Sequence, residues 1–126
     1  MMGDYMKWYE EGILLSIYAM ALSYMDTIST YFGLLIGLDE MNPLNVFMIN
    51  IFGVETYLFI IYPVIIGVTI FLIRYLAYLI WRAFSRYIVY RKAYAITVDI
   101  AIASAVTIIE ISQLISNIYQ IISYLL

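Results

Sequence analysis

Four ionisable side chains stand inside otherwise apolar stretches of this chain: Asp26, Arg74, Asp99 and Glu110. A charge at the centre of a bilayer costs about 2.5–3.5 kcal/mol on insertion scales, so each of the four needs a partner, water or a ligand. Arg74 precedes the basic segment 82–92 by about two turns and Asp99 follows it by about two turns, which predicts similar depths and an ion pair that offsets both desolvation costs. Asp26 and Glu110 are expected to share a depth in the other half of the bilayer. Two carboxylates close together in a low dielectric cannot both ionise, so one holds a proton or a cation stands between them. The plainer alternative is that each carboxyl bonds to nearby hydroxyls and keeps helices in register.

The spacing around these residues defines helix faces. Asp99, Ala103, Thr107, Glu110, Gln113, Asn117, Gln120 and Tyr124 follow one another at steps of three or four, one polar stripe on one side of a helix. Such a stripe lines a bundle interior, a subunit interface or a water-filled path. Ala19, Ser23, Asp26, Thr30, Gly33 and Gly37 form a stripe of small residues near the start of the chain, and Ser29, Gly33 and Gly37 repeat at intervals of four. Small residues so spaced let helices approach closely in lipid, so Ser29, Gly33 and Gly37 are expected to serve helix packing.

The elements that carry these faces read as an all-α integral membrane bundle of three transmembrane helices, in a single domain. The first 11 residues are mixed and polar, without the basic region or cleavage site of a secretory signal. Spans are expected near residues 12–38, 55–81 and 93–122, each long enough to cross a hydrocarbon core of about 30 Å. Between the first two, Asn42 can cap a helix and Pro43 suits its first position, which predicts a short interfacial or re-entrant helix at 43–52. Pro63 and Gly67 sit inside the second span, and a kink is expected at Pro63. Arg82, Arg86, Arg91 and Lys92, with Tyr87 and Tyr90 between them, form a basic aromatic loop at 82–92. The link between spans one and two carries acids and no base, so the basic-loop rule places 82–92 and the N-terminus on the cytoplasmic side of the cytoplasmic membrane and the C-terminus outside.

Composition agrees. Of 126 residues 66% are hydrophobic and only 12% charged, against about half and a quarter in soluble domains. No cysteine or histidine is present, which excludes thiolate chemistry and the commonest metal and haem ligands, and no cofactor is expected. The abundance of isoleucine and of tyrosine, at 14, without cysteine, loosely fits an archaeal or thermophile protein. A net charge of −3 and the lack of a basic stripe with interleaved aromatics argue against nucleic acid as a partner.

Asp26, Ser29-Thr30, Gly37, Glu40 and Asn42-Pro43 together resemble the signature of the DUF5658 family, small prokaryotic integral membrane proteins of unknown function. Its pattern is an Asp, a Thr one turn on, a Gly, a Glu and an Asn-Pro pair. An Asn commonly precedes the Asp by three positions, where this chain has Ser23. The resemblance covers about a sixth of the chain. It implies a multi-span membrane domain of unassigned activity, and it groups Asp26, Thr30, Glu40 and Asn42. Oxygen donors of this kind suit a hard cation or a proton, and the metal, if there is one, is unspecified. The plainer reading is a capped turn, with Glu40 at the positive end of the helix that Asn42 starts.

Two functions are therefore expected. The first is a non-catalytic accessory or scaffolding subunit, packed in lipid against itself or against other membrane subunits. The alternative is proton or cation binding or translocation through Asp26 and Glu110, with Thr30, Glu40 and Asn42 at the same site. An enzyme is not expected, because no nucleophile–base pair, phosphate loop or metal-ligand spacing can be named.

Overall fold

The computed structural model describes residues 2–85 and 90–126, and side chains from Trp8 onward. Every regular element among them is a helix. Helix α1 spans Met2–Leu35 and α2 spans Pro43–Phe52. Helix α3 spans Val54–Ala83, and α4 spans Arg91–Leu125. The segments Trp8–Leu35, Val54–Ala83 and Arg91–Leu125 are each long and apolar enough to cross a membrane. The first helix starts earlier than the polar opening residues suggest, and it ends three residues sooner, at Leu35. The basic segment also shortens, because α3 runs on through Arg82 and α4 already holds Arg91 and Lys92. Arg86 and Tyr87 lie outside the described residues.

Helix α1 is the middle of the bundle. It packs along both α3 and α4, which touch each other little. Its stripe of small residues makes this possible: Ala19 and Ser23 are wholly buried, and Gly33 sits against Ile121 of α4. On the other side a Cβ on Gly67 would lie 2.6 Å from Met20 Sδ, so α3 could not come as close to α1 with a larger residue there. Gly37 lies close to α4, where a Cβ would stand 2.9 Å from the Tyr124 hydroxyl, and it also ends the helix. It lies beyond the end of α1 at φ +108°, where Leu38 N–H donates to Gly33 O and Gly37 N–H to Leu34 O. That pair of bonds stops a helix on a left-handed glycine.

Helix α2 begins as its sequence predicts. Asn42 Oδ1 accepts from Leu44 N–H at 3.0 Å, and Pro43, which has no N–H to satisfy, follows the cap. The proline of the second span produces more than a bend. Tyr57–Ile61 forms a π-turn directly before it. Pro63 has no N–H for the Phe59 carbonyl one turn back, and the Tyr24 hydroxyl of α1 donates to that carbonyl instead, at 3.0 Å.

Candidate functional site

The polar stripe of α4 faces α1. At the end of the bundle near Arg91, Arg74 is buried and its Nε–H donates to Asp99 Oδ1 at 2.8 Å, the ion pair expected from depth. Its Nη2 also meets Glu11 Oε2 at 2.5 Å. Glu11 was unreadable as a partner because it falls in the stretch that looked polar and external; it lies inside because α1 is continuous through it. One guanidinium thus serves two carboxylates. Near mid-bundle the hydroxyls of Tyr18 and Thr107 join α1 to α4 by a hydrogen bond.

The opposite end holds the other carboxylates. Asp26 is 5% exposed and Glu110 is 4% exposed, so both face the interior. Asp26 Oδ1 accepts from Asn117 Nδ2 at 2.8 Å, and Oδ2 accepts from the Tyr62 hydroxyl at 3.5 Å. The same Asn117 amide lies 2.9 Å from Ser29 Oγ and 2.9 Å from Thr30 Oγ1. Ser29 Oγ uses its own proton on the Asp26 carbonyl, so its lone pairs are free to accept. Asn117 is the hub that sequence reasoning placed on the stripe without assigning it a role. The side chain of Glu110 differs: its Oε2 is shielded from solvent and has no hydrogen-bond partner.

Above Asp26 a cavity of about 300 Å³ opens between α1, α4 and the α1–α2 turn. Asp26, Thr27 and Thr30 form its α1 wall, and Asn117 with Gln113 its α4 wall. Glu40, Asn42 and Asn45 close it from the turn and α2, and Tyr57 with Tyr62 from α3. The turn is held in shape from within: Glu40 Oε1 accepts from Asn42 N–H at 3.0 Å. Tyr57 donates to Asn45 Oδ1 at 2.7 Å, which ties α2 to α3. Thr27, at 1% exposure, has a hydroxyl with no partner.

Asp26, Thr30, Glu40 and Asn42 therefore meet around one cavity, and Glu110 lies outside its walls, deeper in the bundle. Among the described residues, no lysine or arginine lines it. The surroundings of Asp26 are all neutral donors, which hold the carboxyl in place and leave a full negative charge, where present, without a counter-ion. Among the described residues no group of three or more carboxylates stands where it could cage a metal ion. Tyr57, Asn45 and Gln113 were not foreseen as part of the site. Only the π-turn brings the face of α3 that carries Tyr57 round to the cavity.

No family model, curated protein or solved structure matches this chain.

Proposed function

We propose that the chain is a small non-catalytic subunit of the cytoplasmic membrane that binds a proton or a small cation in the cavity between Asp26 and Glu40. The observation that carries this reading is the lining: two carboxylates, amides, hydroxyls and phenols around about 300 Å³, with no basic side chain among them. A cation there supplies the charge that the neutral donors around Asp26 do not. Glu110, buried and with an unpartnered oxygen, is the next acid inward from the cavity. With the basic end of the bundle facing the cytoplasm, the cavity opens to the outside.

The test is thermal unfolding of the chain in a maltoside detergent against increasing sodium, magnesium or methylammonium chloride, each matched in ionic strength with choline chloride. At least one cation should raise the midpoint saturably, and Asp26→Asn should abolish the rise while Glu110→Gln keeps it. An equal rise in Asp26→Asn would defeat the reading of the cavity as a cation site. The proton arm is read by carbodiimide labelling followed by peptide mass spectrometry, since a carbodiimide adds to a protonated buried carboxyl. Label on Glu110 or Asp26 supports the proton reading; label on neither removes it.

A second reading, that of an accessory subunit associated with itself or with larger membrane proteins, is favoured by α4. Of its 35 residues only Val106 and Glu110 are buried, and the small residues Ala101, Ser104, Ala105 and Ser112 are exposed. Small residues on an exposed helix face let a second helix approach closely in lipid. Native mass spectrometry from mild detergent would give a dimer or a defined complex under this reading and a bare monomer against it.

A further inference from the structure

At the end of the bundle away from the acidic cavity lies a second, smaller pocket of about 110 Å³. It forms where the first and second spans and the start of α4 come together, and Trp8, Trp81, Arg91 and Lys92 are among its walls. Its hydrogen-bonding character is the reverse of the first. The acid in its wall, Glu11, is already engaged by Arg74, and Arg74 is itself shared with Asp99. Beside the hydroxyls of Tyr78 and Tyr94, its other polar side chains are donors. The indole N–H of Trp8 and that of Trp81 are both shielded from solvent, and neither has an acceptor among the described residues. A buried indole N–H normally finds one, because leaving it unmade costs about 1–3 kcal/mol. Arg91 lies over the Trp81 ring, 5.0 Å from its centroid, and Lys92 adds a second positive charge at the rim. Indole, guanidinium and ammonium groups donate hydrogen bonds and accept none.

We propose that this pocket binds a phosphate group, that of an anionic membrane phospholipid. A phosphate matches the walls in each respect: negative charge for Arg91 and Lys92, and acceptor oxygens for two indole N–H groups. The volume is about that of three or four liquid waters, enough for a headgroup phosphate and far too little for acyl chains. The location also selects the lipid as its source. Trp8 opens the first span, Trp81 is two residues from the end of the second, and Arg91 opens the third, so the pocket sits where spans leave the hydrocarbon and headgroups begin. The acyl chains would lie along the apolar helix faces below.

The experiment uses a built-in reporter. The chain has only two tryptophans, and both line this pocket, so intrinsic indole emission reads it and nothing else. The intact chain in maltoside micelles is titrated with dihexanoyl phosphatidylglycerol, with dihexanoylglycerol, which lacks the phosphate, and with inorganic phosphate. A saturable emission change with the phospholipid and none with the diacylglycerol is the expected result. Lys92→Gln should weaken it several-fold, and Arg91→Gln with Lys92→Gln by about tenfold or more. Trp81→Phe keeps a ring under Arg91 and removes one N–H; it should weaken binding, with Trp8 still reporting. Saturation by inorganic phosphate alone would keep the phosphate site and make the free anion its ligand. Equal responses to phospholipid and diacylglycerol, or a response untouched by Lys92→Gln and by the double variant, would overturn the proposal.

Discussion

The two ends of this bundle bury charge in different ways. At one end Arg74 meets Glu11 and Asp99 directly, so three charged groups from three helices close on one another. At the other, Asp26 is held by Asn117 and Tyr62, which are neutral. At the first end the guanidinium offsets one carboxylate charge outright and hydrogen-bonds both acids, so most of what a ligand could supply is already in place. A carboxylate ringed by neutral donors is fixed in position yet uncompensated, which is the condition for a binding site. The contrast shows why a buried acid is not informative by itself: its function depends on whether its partners carry charge.

Substitutions at the two ends test that contrast directly. The largest effect is expected from Arg74→Leu, which strands Glu11 and Asp99 in the interior; breaking such a buried pair from one side costs about 3–5 kcal/mol. Reversible unfolding in mixed micelles measures it, and adding Asp99→Leu and Glu11→Leu to the same chain should recover much of the loss. A smaller cost is expected for Asn117→Leu, about 1–3 kcal/mol, since Asp26, Ser29 and Thr30 lose one shared donor. If the cavity is a cation site, part of that cost should return on adding the cation that stabilises the parent chain, whereas no cation should rescue Arg74→Leu. Equal rescue at both ends would erase the distinction. The smallest effect is at the join between α1 and α3: Tyr24→Phe removes the donor to the Phe59 carbonyl and should cost about 1 kcal/mol. In a Pro63→Ala background, where a backbone N–H becomes available, the same change should cost less, and a double-mutant cycle reads the difference.

The parts of this architecture governed by local rules were legible in the residues. Span lengths follow from apolar runs, and α2 starts at Asn42-Pro43 because a cap and a missing N–H belong at that position. The Arg74–Asp99 pair followed from depth, which counts residues from a shared loop and needs no tertiary knowledge. The partner Glu11 did not, since it comes from a helix end 63 positions away that reads as external. Gly37 fits an i, i+4 packing pattern, and only its backbone angle reveals that it is also a helix stop. Asn117 stands on the predicted stripe, but which of the stripe's polar groups meets Asp26 depends on how α1 and α4 are set against each other, and periodicity is silent on that.

The π-turn at Tyr57–Ile61 is in effect one residue more than the helix geometry requires. A chain shorter by one residue there would run as plain α-helix, and everything before it in α3 would swing about 100° around the axis. Tyr57 would leave the cavity wall, and its bond to Asn45, which anchors α2, would go with it. The acidic chamber is thus a product of chain length at one point as much as of side-chain identity. Its lining could be kept residue for residue, and the chamber would still vanish with a single-codon deletion.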